Sequence, residues 1–114
     1  MSYQEIVTRC YKGWEEKDWN KVKETLAPGF TFTSPNNDDH ISIDQYKKKC
    51  WPSAANIDHF EFESFMENED ALFVKYTCYT KDKKNFSNAE YFTFAGNKIK
   101  SVEVFFGAGN SIPE

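Results

Sequence analysis

A carboxylate and an amide stand two residues apart in the stretch NAEYFTF, which runs from position 88 to position 94. If this stretch is a β-strand, its side chains alternate between two faces, so Asn88, Glu90 and Phe92 share one face. That face carries the larger apolar load, and we therefore predict that it looks toward the core. A buried carboxylate is stable only when it is hydrogen-bonded, paired or protonated. Glu90 is thus the first candidate for chemistry, as a hydrogen-bond donor or an acid.

A purely structural role for Glu90 is the alternative, in which a hydrogen bond to Asn88 or to a tyrosine hydroxyl only fixes the packing of the strands. Buried polar networks often do no chemistry. Tyr76 lies in the middle of the apolar run ALFVKYTCYT, where it is either a wall of the core or a hydrogen-bond donor to a ligand. The sequence leaves both alternatives open.

A second group of chemically capable residues is Asp38, Asp39 and His40, in the polar stretch NNDDH. A loop at the mouth of a pocket could supply a carboxylate base or a histidine proton carrier. The alternative is a solvated loop before a helix. His40 and His59 have no metal-ligand spacing to each other or to a cysteine, so neither a metal site nor a cofactor is predicted.

The composition predicts one domain over residues 1–114 with an aromatic-rich core, since 18% of the residues are aromatic. A net charge of −4 provides no basic surface for nucleic acid. No apolar run approaches the roughly 18 residues of a membrane span, and no charged-then-apolar leader is present, so we expect a cytoplasmic location and no membrane contact. The cysteines at 10, 50 and 78 are expected to be reduced, buried thiols.

Three helix starts can be predicted from capping signals. Ser2 with Glu5 and Ser42 with Gln45 each form the capping box, in which two side chains satisfy each other's backbone amides. Asp18 is a natural N-cap for a short helix between them. Apolar residues recur at helical spacing after each of these positions. The first half of the chain is therefore predicted to be mainly helical, apart from a short strand FTFTSP that Pro35 ends.

From Ile57 onward the apolar period changes from about 3.6 to 2, which indicates strands. Four successive segments, IDHFEFESF, ALFVKYTCYT, NAEYFTF and KIKSVEVFF, are predicted to form an antiparallel meander. Helices followed by such a sheet indicate an α+β fold in which the helices cover one face of a curved sheet. The interior would then hold a pocket with an apolar body and few polar groups, as ligand pockets do.

The facing of the last strand is ambiguous, because both of its faces are half apolar. We assign Glu103 and Phe105 to the interior, although a β-bulge would reverse that assignment. The predicted lining of the pocket combines residues of the first helix with residues of the last three strands: Tyr11, Trp14, Tyr76, Asn88, Phe92, Glu103 and Phe105.

The segments KDWNKVKETLAPGFTFTSP and NAEYFTFAGNKIKSVEVFFG resemble the nuclear transport factor 2-like superfamily, and within it the SnoaL-like group that includes ketosteroid isomerases and polyketide cyclases. The resemblance covers the chain from Ile6 to Gly107. It implies a cone-shaped, cystatin-like α+β roll, a strongly curved antiparallel sheet wrapped around N-terminal helices. It also implies a pocket inside the cone and a homodimer formed through the outer face of the sheet.

Ketosteroid isomerases combine a carboxylate base with an oxyanion hole made of a tyrosine and a protonated acid. The resemblance puts Glu90 at the position of the protonated acid. Ser34 stands where the family has its base, and Cys10 stands at the tyrosine position, with Tyr11 one residue further along the helix. A proton-transfer reaction would therefore need Asp38 or Asp39 as the base.

We accordingly expect a protein that binds a small, largely apolar molecule, with Glu90 as donor or acid and no cofactor. The first alternative is a cofactor-free isomerase or cyclase, and whether the chain is an enzyme stays open. The second alternative is a dimeric interaction module whose convex sheet face bears aromatic residues, namely Phe73, Tyr79, Tyr91 and Phe106.

Overall fold

The computed structural model describes residues 1–109. Two helices are followed by a short β-hairpin, a third helix and a 3₁₀ helix, and then by four consecutive strands. The helices are α1 (Tyr3–Glu15), α2 (Trp19–Glu24) and α3 (Ile43–Cys50), followed directly by a 3₁₀ helix (Trp51–Asn56). The strands are β1 (Leu26–Ser34), β2 (Asp38–Ile41), β3 (Ile57–Glu67), β4 (Ala71–Thr80), β5 (Phe86–Ala95) and β6 (Lys98–Phe106). Within the described range no helix has the length and apolar character needed to cross a membrane.

The three predicted helix starts are confirmed. The Ser2 hydroxyl accepts from the Glu5 amide at 3.1 Å, and the Glu5 carboxylate accepts from the Ser2 amide at 3.2 Å. Asp18 caps α2. The Ser42 side chain accepts from the backbone N–H of Gln45 at the start of α3, and the Gln45 side chain accepts from the backbone N–H of Ser42. Each cap satisfies backbone amides that have no partner inside the helix, which is worth about 1 kcal/mol.

Helices α1 and α2 form a hairpin whose close approach depends on Gly13. A Cβ atom at this position would lie 2.8 Å from the Cγ2 atom of Val22, which is itself fully buried. Real side chains do not tolerate that distance, so glycine is the residue that lets the helices pack.

The sheet has six strands in the order β2-β1-β6-β5-β4-β3. Strands β3 to β6 form the predicted antiparallel meander, which is confirmed. The sheet as a whole is mixed, because β1 pairs in parallel with β6, on the side of β6 that faces away from β5. The two strands are far apart in sequence, so no turn signal between them reveals this pairing.

Strand β2 was not expected, and the prediction of a polar loop over NNDDH is wrong for its second half. The backbone turns at Asn37, which has a positive φ of 65°, and returns along β1 with Asp38 opposite Ser34. The strand is a short polar edge strand, so it lacks the alternating apolar pattern by which strands are recognised.

The sheet curves around the helices because extra residues interrupt its pairing. Asp58 and Glu63 in β3, and Lys100 in β6, each fall between consecutive pairs of the ladder and form bulges. The concave face packs on α1 through fully buried residues such as Val7 and Val74. The fold is therefore the α+β arrangement expected, with N-terminal helices held in a curved, unclosed sheet.

Candidate functional site

A cavity of about 330 Å³ lies between the helices and the concave face of the sheet. Its aromatic walls come from α1, α3 and several strands: Tyr11, Trp14, Phe32, Tyr46, Phe60, Tyr76, Phe86 and Phe106. Asn36 and Ser53 also line it and are exposed, so they mark its entrance. Polar groups line the cavity in two places, one deep and one near this entrance.

The deep polar group is built by neighbouring strands β4 and β5. Their register places Tyr76 opposite Asn88 and Val74 opposite Glu90, so all four side chains share the concave face. The Tyr76 hydroxyl donates a hydrogen bond to the Oε2 atom of Glu90. The Asn88 amide donates to the Tyr76 oxygen at 3.2 Å. The predicted inward facing of Asn88 and Glu90 is thus what the structure has.

Tyr11 reaches the same place from α1. Its ring packs edge-on against Tyr76 with centroids 5.2 Å apart and against Phe60 at 4.8 Å. Its hydroxyl lies near enough to the Glu90 carboxyl to favour the ionised form, but its geometry is not that of a hydrogen bond. Within residues 1–109, this hydroxyl is the buried side-chain oxygen or nitrogen that lacks a hydrogen-bond partner. Two tyrosines therefore lie beside Glu90: Tyr76, which hydrogen-bonds it, and Tyr11, one residue beyond the position that the family pattern indicates.

The surroundings of Glu90 favour its neutral form. Glu90 is part-exposed, and the space it faces is the cavity. Burial among the aromatic walls raises the pKa of the carboxyl above its ordinary value of 4.5, against the opposing effect of the Tyr76 and Tyr11 hydroxyls. Burial and the nearby Glu90 raise the pKa of both tyrosines, so they stay protonated. Burial thus shifts the side chains at the deep end of the cavity toward their protonated forms.

The second polar group comes from β1, β2, the turn between them and α3, and we call it the entrance cluster: Ser34, Asn36, Asp38 and Lys49. Asp38 is 4% exposed and lines the cavity. Its Oδ2 atom accepts from the Ser34 hydroxyl at 2.6 Å, and its Oδ1 atom is paired with the Lys49 ammonium of α3. The Ser34 oxygen accepts in turn from the backbone N–H of Asn36 at 3.2 Å.

Asp39 and His40 lie outside the cavity, which contradicts their prediction as site residues at its mouth. The Asp39 side chain is 87% exposed, and its carboxylate bonds the His40 ring at 2.6 Å in solvent. Alternation along β2 sends Asp38 inward and its neighbour outward. A loop would have had no such alternation, which is why the sequence alone could not separate the two aspartates.

Trp14 lines the cavity as predicted from the first helix, whereas Phe92 does not reach it. Phe92 is 2% exposed and packs below Tyr11 with ring centroids 6.1 Å apart. It is a core residue that supports the floor of the site.

The predicted inward facing of Glu103 and Phe105 is wrong. Both side chains are exposed on the outer face, and Val104 and Phe106 line the cavity instead. The cause is the bulge at Lys100, because an extra residue in the strand reverses every face after it. Phe106, predicted for the convex face, is inward for the same reason.

Several lining residues were not predicted from the sequence: Ser34, Asn36, Tyr46, Cys50, Ser53, Phe60 and Phe86. Tyr46 and Cys50 are one helical turn apart on α3, so their shared face was the available signal. Burial raises the pKa of the Cys50 thiol to about 12, as it does for Cys10 and Cys78, so none is activated as a nucleophile. Among residues 1–109, no three His, Cys, Asp or Glu side chains converge as a metal site would require.

The outer face of the sheet carries an aromatic patch, formed by Phe73, Tyr91 and Phe105. Phe73 packs against Tyr91 and Phe105 with ring centroids 5.8 Å and 5.9 Å apart. These side chains are 37%, 37% and 44% exposed in the isolated chain. Three large exposed rings in contact on one face are typical of an interaction surface.

Solved structures with this fold share little sequence with the chain. A protein of unknown function from Cytophaga hutchinsonii, described as nuclear transport factor 2-like, is 14% identical with a TM-score of 0.75, covering 94% of this chain and 91% of that one. A cystatin-fold protein from Novosphingobium aromaticivorans is 13% identical with a TM-score of 0.74, covering 92% and 98%. TerC, co-crystallised with polyporic acid, is 14% identical with a TM-score of 0.70, covering 90% and 89%. These likenesses show the fold.

The sequence itself gives the family. No curated protein sequence matches the chain. The model of the SnoaL-like domain, however, matches residues 7–102, which extend from α1 to β6 and include both polar groups of the cavity. The chain therefore belongs to the SnoaL-like family of the nuclear transport factor 2-like superfamily.

Proposed function

We propose that the cavity binds a small, largely apolar, uncharged molecule that offers a hydrogen-bond acceptor, such as a carbonyl oxygen, to Glu90. The observation that carries this proposal is a carboxyl of raised pKa on the wall of an aromatic cavity. A neutral carboxyl has one proton to donate, and Tyr76 occupies one of its oxygens. The proton can then be given to a ligand from the other oxygen.

The size and walls of the cavity support a ligand of one or two rings. A volume of about 330 Å³ lies at the lower end of the roughly 300–1,000 Å³ typical of ligand pockets. The aromatic walls supply the apolar contact, while Asn88 and Tyr76 hold Glu90 in one orientation. The Tyr11 hydroxyl, which lacks a partner among the described residues, supplies a second proton near the same carboxyl. Co-crystallisation of TerC with polyporic acid supports the idea that a cone of this kind holds an organic molecule.

A titration with two probes of the same shape tests this proposal. 2-Acetylnaphthalene has a carbonyl group, and 2-isopropylnaphthalene replaces it with an apolar branch. Glu90→Leu should weaken the binding of the ketone about tenfold, the value of one buried hydrogen bond of about 1.4 kcal/mol. The hydrocarbon should bind both proteins equally. An unchanged affinity of the ketone for the variant would contradict the proposal and favour a structural role for Glu90.

The second candidate function is proton transfer without a cofactor, and the position of Asp38 favours it. Asp38 and Glu90 line one cavity, and a base with a neutral acid is the arrangement used to form and stabilise an enolate. Asp39, the other candidate base, is in solvent. Deuterium exchange at the methyl group of 2-acetylnaphthalene, followed by NMR, should then be faster with the wild-type protein than with Asp38→Asn. Exchange no faster than in buffer would exclude this reaction.

We further propose that the aromatic patch joins two copies of the chain. The patch is continuous across β4, β5 and β6, and a pair of such faces would cover rings that otherwise contact water. A patch of this kind could equally bind another protein, which is the interaction-module alternative. The oligomeric state of the purified protein separates the two, as described in the Discussion.

A further inference from the structure

The entrance cluster gives the cavity a second polar end, separated from Glu90 by strand β6. Asp38 on β2 and Ser34 on β1 are cross-strand partners, whereas Glu90 lies on β5. Both Asp38 and Ser34 line the cavity, and Asp38 is 4% exposed. A buried carboxylate in the wall of a pocket is a constraint on whatever enters it, because its charge and lone pairs must be satisfied.

The hydrogen bonds of Asp38 leave it able to accept from further donors. Each Asp38 oxygen has one partner, Lys49 on Oδ1 and Ser34 on Oδ2, while a carboxylate has about four lone-pair positions. The Ser34 hydroxyl donates its proton to Asp38 and accepts from the backbone N–H of Asn36. The lone pairs that stay available on Asp38 are therefore an acceptor that this end of the cavity offers.

The charges of the cluster favour an uncharged ligand. A cationic group entering here would meet the Lys49 ammonium, which already neutralises Asp38. An anionic group would meet the Asp38 carboxylate itself. A neutral donor suffers neither repulsion, and a hydroxyl group is the neutral donor that an apolar ring most simply carries.

We propose that Asp38 accepts a hydrogen bond from a hydroxyl group of the ligand, so that the molecule bound is a neutral hydroxyketone whose carbonyl meets Glu90. This inference rests on the proposed function, because it takes the carbonyl at Glu90 as given. Asp38 is then the residue that selects hydroxylated molecules from others of the same shape. Ser34 and Lys49 are positioning residues that hold its carboxylate in place.

Matched pairs of probes separate the two polar ends of the cavity. 6-Acetyl-2-naphthol and 4-hydroxyacetophenone each carry a hydroxyl across the ring system from the acetyl group, over spans of two rings and one ring. Their methyl ethers, 2-acetyl-6-methoxynaphthalene and 4-methoxyacetophenone, keep the oxygen but have no proton to donate. Affinities are measured by titration calorimetry at about pH 6, where a phenolic hydroxyl is neutral.

On the wild-type protein, at least one hydroxyketone should bind about tenfold more tightly than its methyl ether, the contrast expected for one hydrogen bond to a charged group. The contrast should fall below about threefold in Asp38→Asn, because a neutral amide oxygen is a weaker acceptor than a carboxylate. Asp39→Asn is the matched control, since it makes the same change at an exposed neighbour, and it should keep the full contrast.

The outcomes distinguish this inference from the proposed function. If hydroxyketones and ethers bind the wild-type protein equally and Glu90→Leu weakens all of them, the role of Asp38 is overturned and the proposed function stands. If 2-acetylnaphthalene and every acetyl probe fail to bind, both are overturned. A contrast that persists in Asp38→Asn assigns the hydroxyl to another group. Even if Asp38→Asn does not fold, equal binding of hydroxyketones and their ethers to the wild-type protein overturns the role of Asp38.

Discussion

The Tyr76 hydroxyl donates a hydrogen bond to the Glu90 carboxyl from the neighbouring strand, at a diagonal position on the concave face. This bond favours an ionised carboxylate, while burial among aromatic side chains favours a neutral one, and burial has the larger effect. The result is a carboxyl that is held in one orientation and stays protonated to a higher pH than an ordinary glutamate. That property links the packing of the cone to the ligand proposed for it.

Glu90 should make the stability of the protein depend on pH. Its pKa is raised above 4.5 in the folded protein, so the folded state binds the proton more tightly than the unfolded state. The stability that this provides is complete below pH 4.5 and is lost as the pH rises through the folded pKa. Between the two pKa values, the wild-type protein should lose about 1.4 kcal/mol per pH unit relative to Glu90→Gln. Urea unfolding of both proteins from acid to neutral pH measures the difference, and parallel curves would refute it.

Removing the Tyr76 hydroxyl should raise the pKa of Glu90 further. Tyr76→Phe deletes the hydrogen bond that favours the ionised form and leaves the aromatic wall intact. Tyr79→Phe is the control, since Tyr79 lies on the other face of β4 and stacks on His59. Carbon-13 NMR of the glutamate side-chain carboxyl reads each titration directly. A pKa that falls or stays the same in Tyr76→Phe would mean that the hydrogen bond is not made.

The bulge at Lys100 predicts that substitutions at two neighbouring residues change the stability by very different amounts. Val104 is 6% exposed on the concave face, and Val104→Ala should lower the free energy of unfolding by about 2 kcal/mol. Glu103 points outward, and Glu103→Ala should change it by less than about 0.5 kcal/mol. Chemical denaturation compares them. A larger loss of stability in Glu103→Ala than in Val104→Ala would contradict the bulge and place Glu103 on the inner face.

The aromatic patch predicts a dimer that one added charge disrupts. Tyr91 is in ring contact with Phe73 in the patch, so Tyr91→Glu would bury a carboxylate in the dimer interface and should yield monomers. Thr8→Glu adds the same charge on the exposed surface of α1 and should leave the dimer intact. Analytical ultracentrifugation distinguishes these states. A wild-type monomer would contradict the proposed dimer.

The parts of the fold that could be predicted from the sequence depend on local patterns. Capping residues such as Ser2 and Asp18 act within one helical turn, and alternation along β5 correctly placed Asn88 and Glu90 on one face. A bulge is set by pairing with a neighbouring strand, so the half-apolar faces of β6 left its facing ambiguous and did not show that Lys100 is the extra residue.

The entrance cluster could not be predicted for a related reason. Asp38 acquires its inward facing from pairing with Ser34, and its charge partner Lys49 is supplied by a separate helix. Both contacts depend on how the hairpin and the helix pack, and polar residues on an edge strand carry no apolar period to indicate it.

The most direct test of the central claim is the pH dependence of ligand affinity at Glu90. Calorimetric titrations of 2-acetylnaphthalene should show full affinity below the raised pKa of Glu90 and weaker binding as the pH rises through it, because an ionised carboxyl has no proton to donate. Glu90→Gln keeps a donor of the same shape and should bind equally at every pH. A wild-type affinity as independent of pH as that of Glu90→Gln would contradict a neutral Glu90 as the group that holds the ligand.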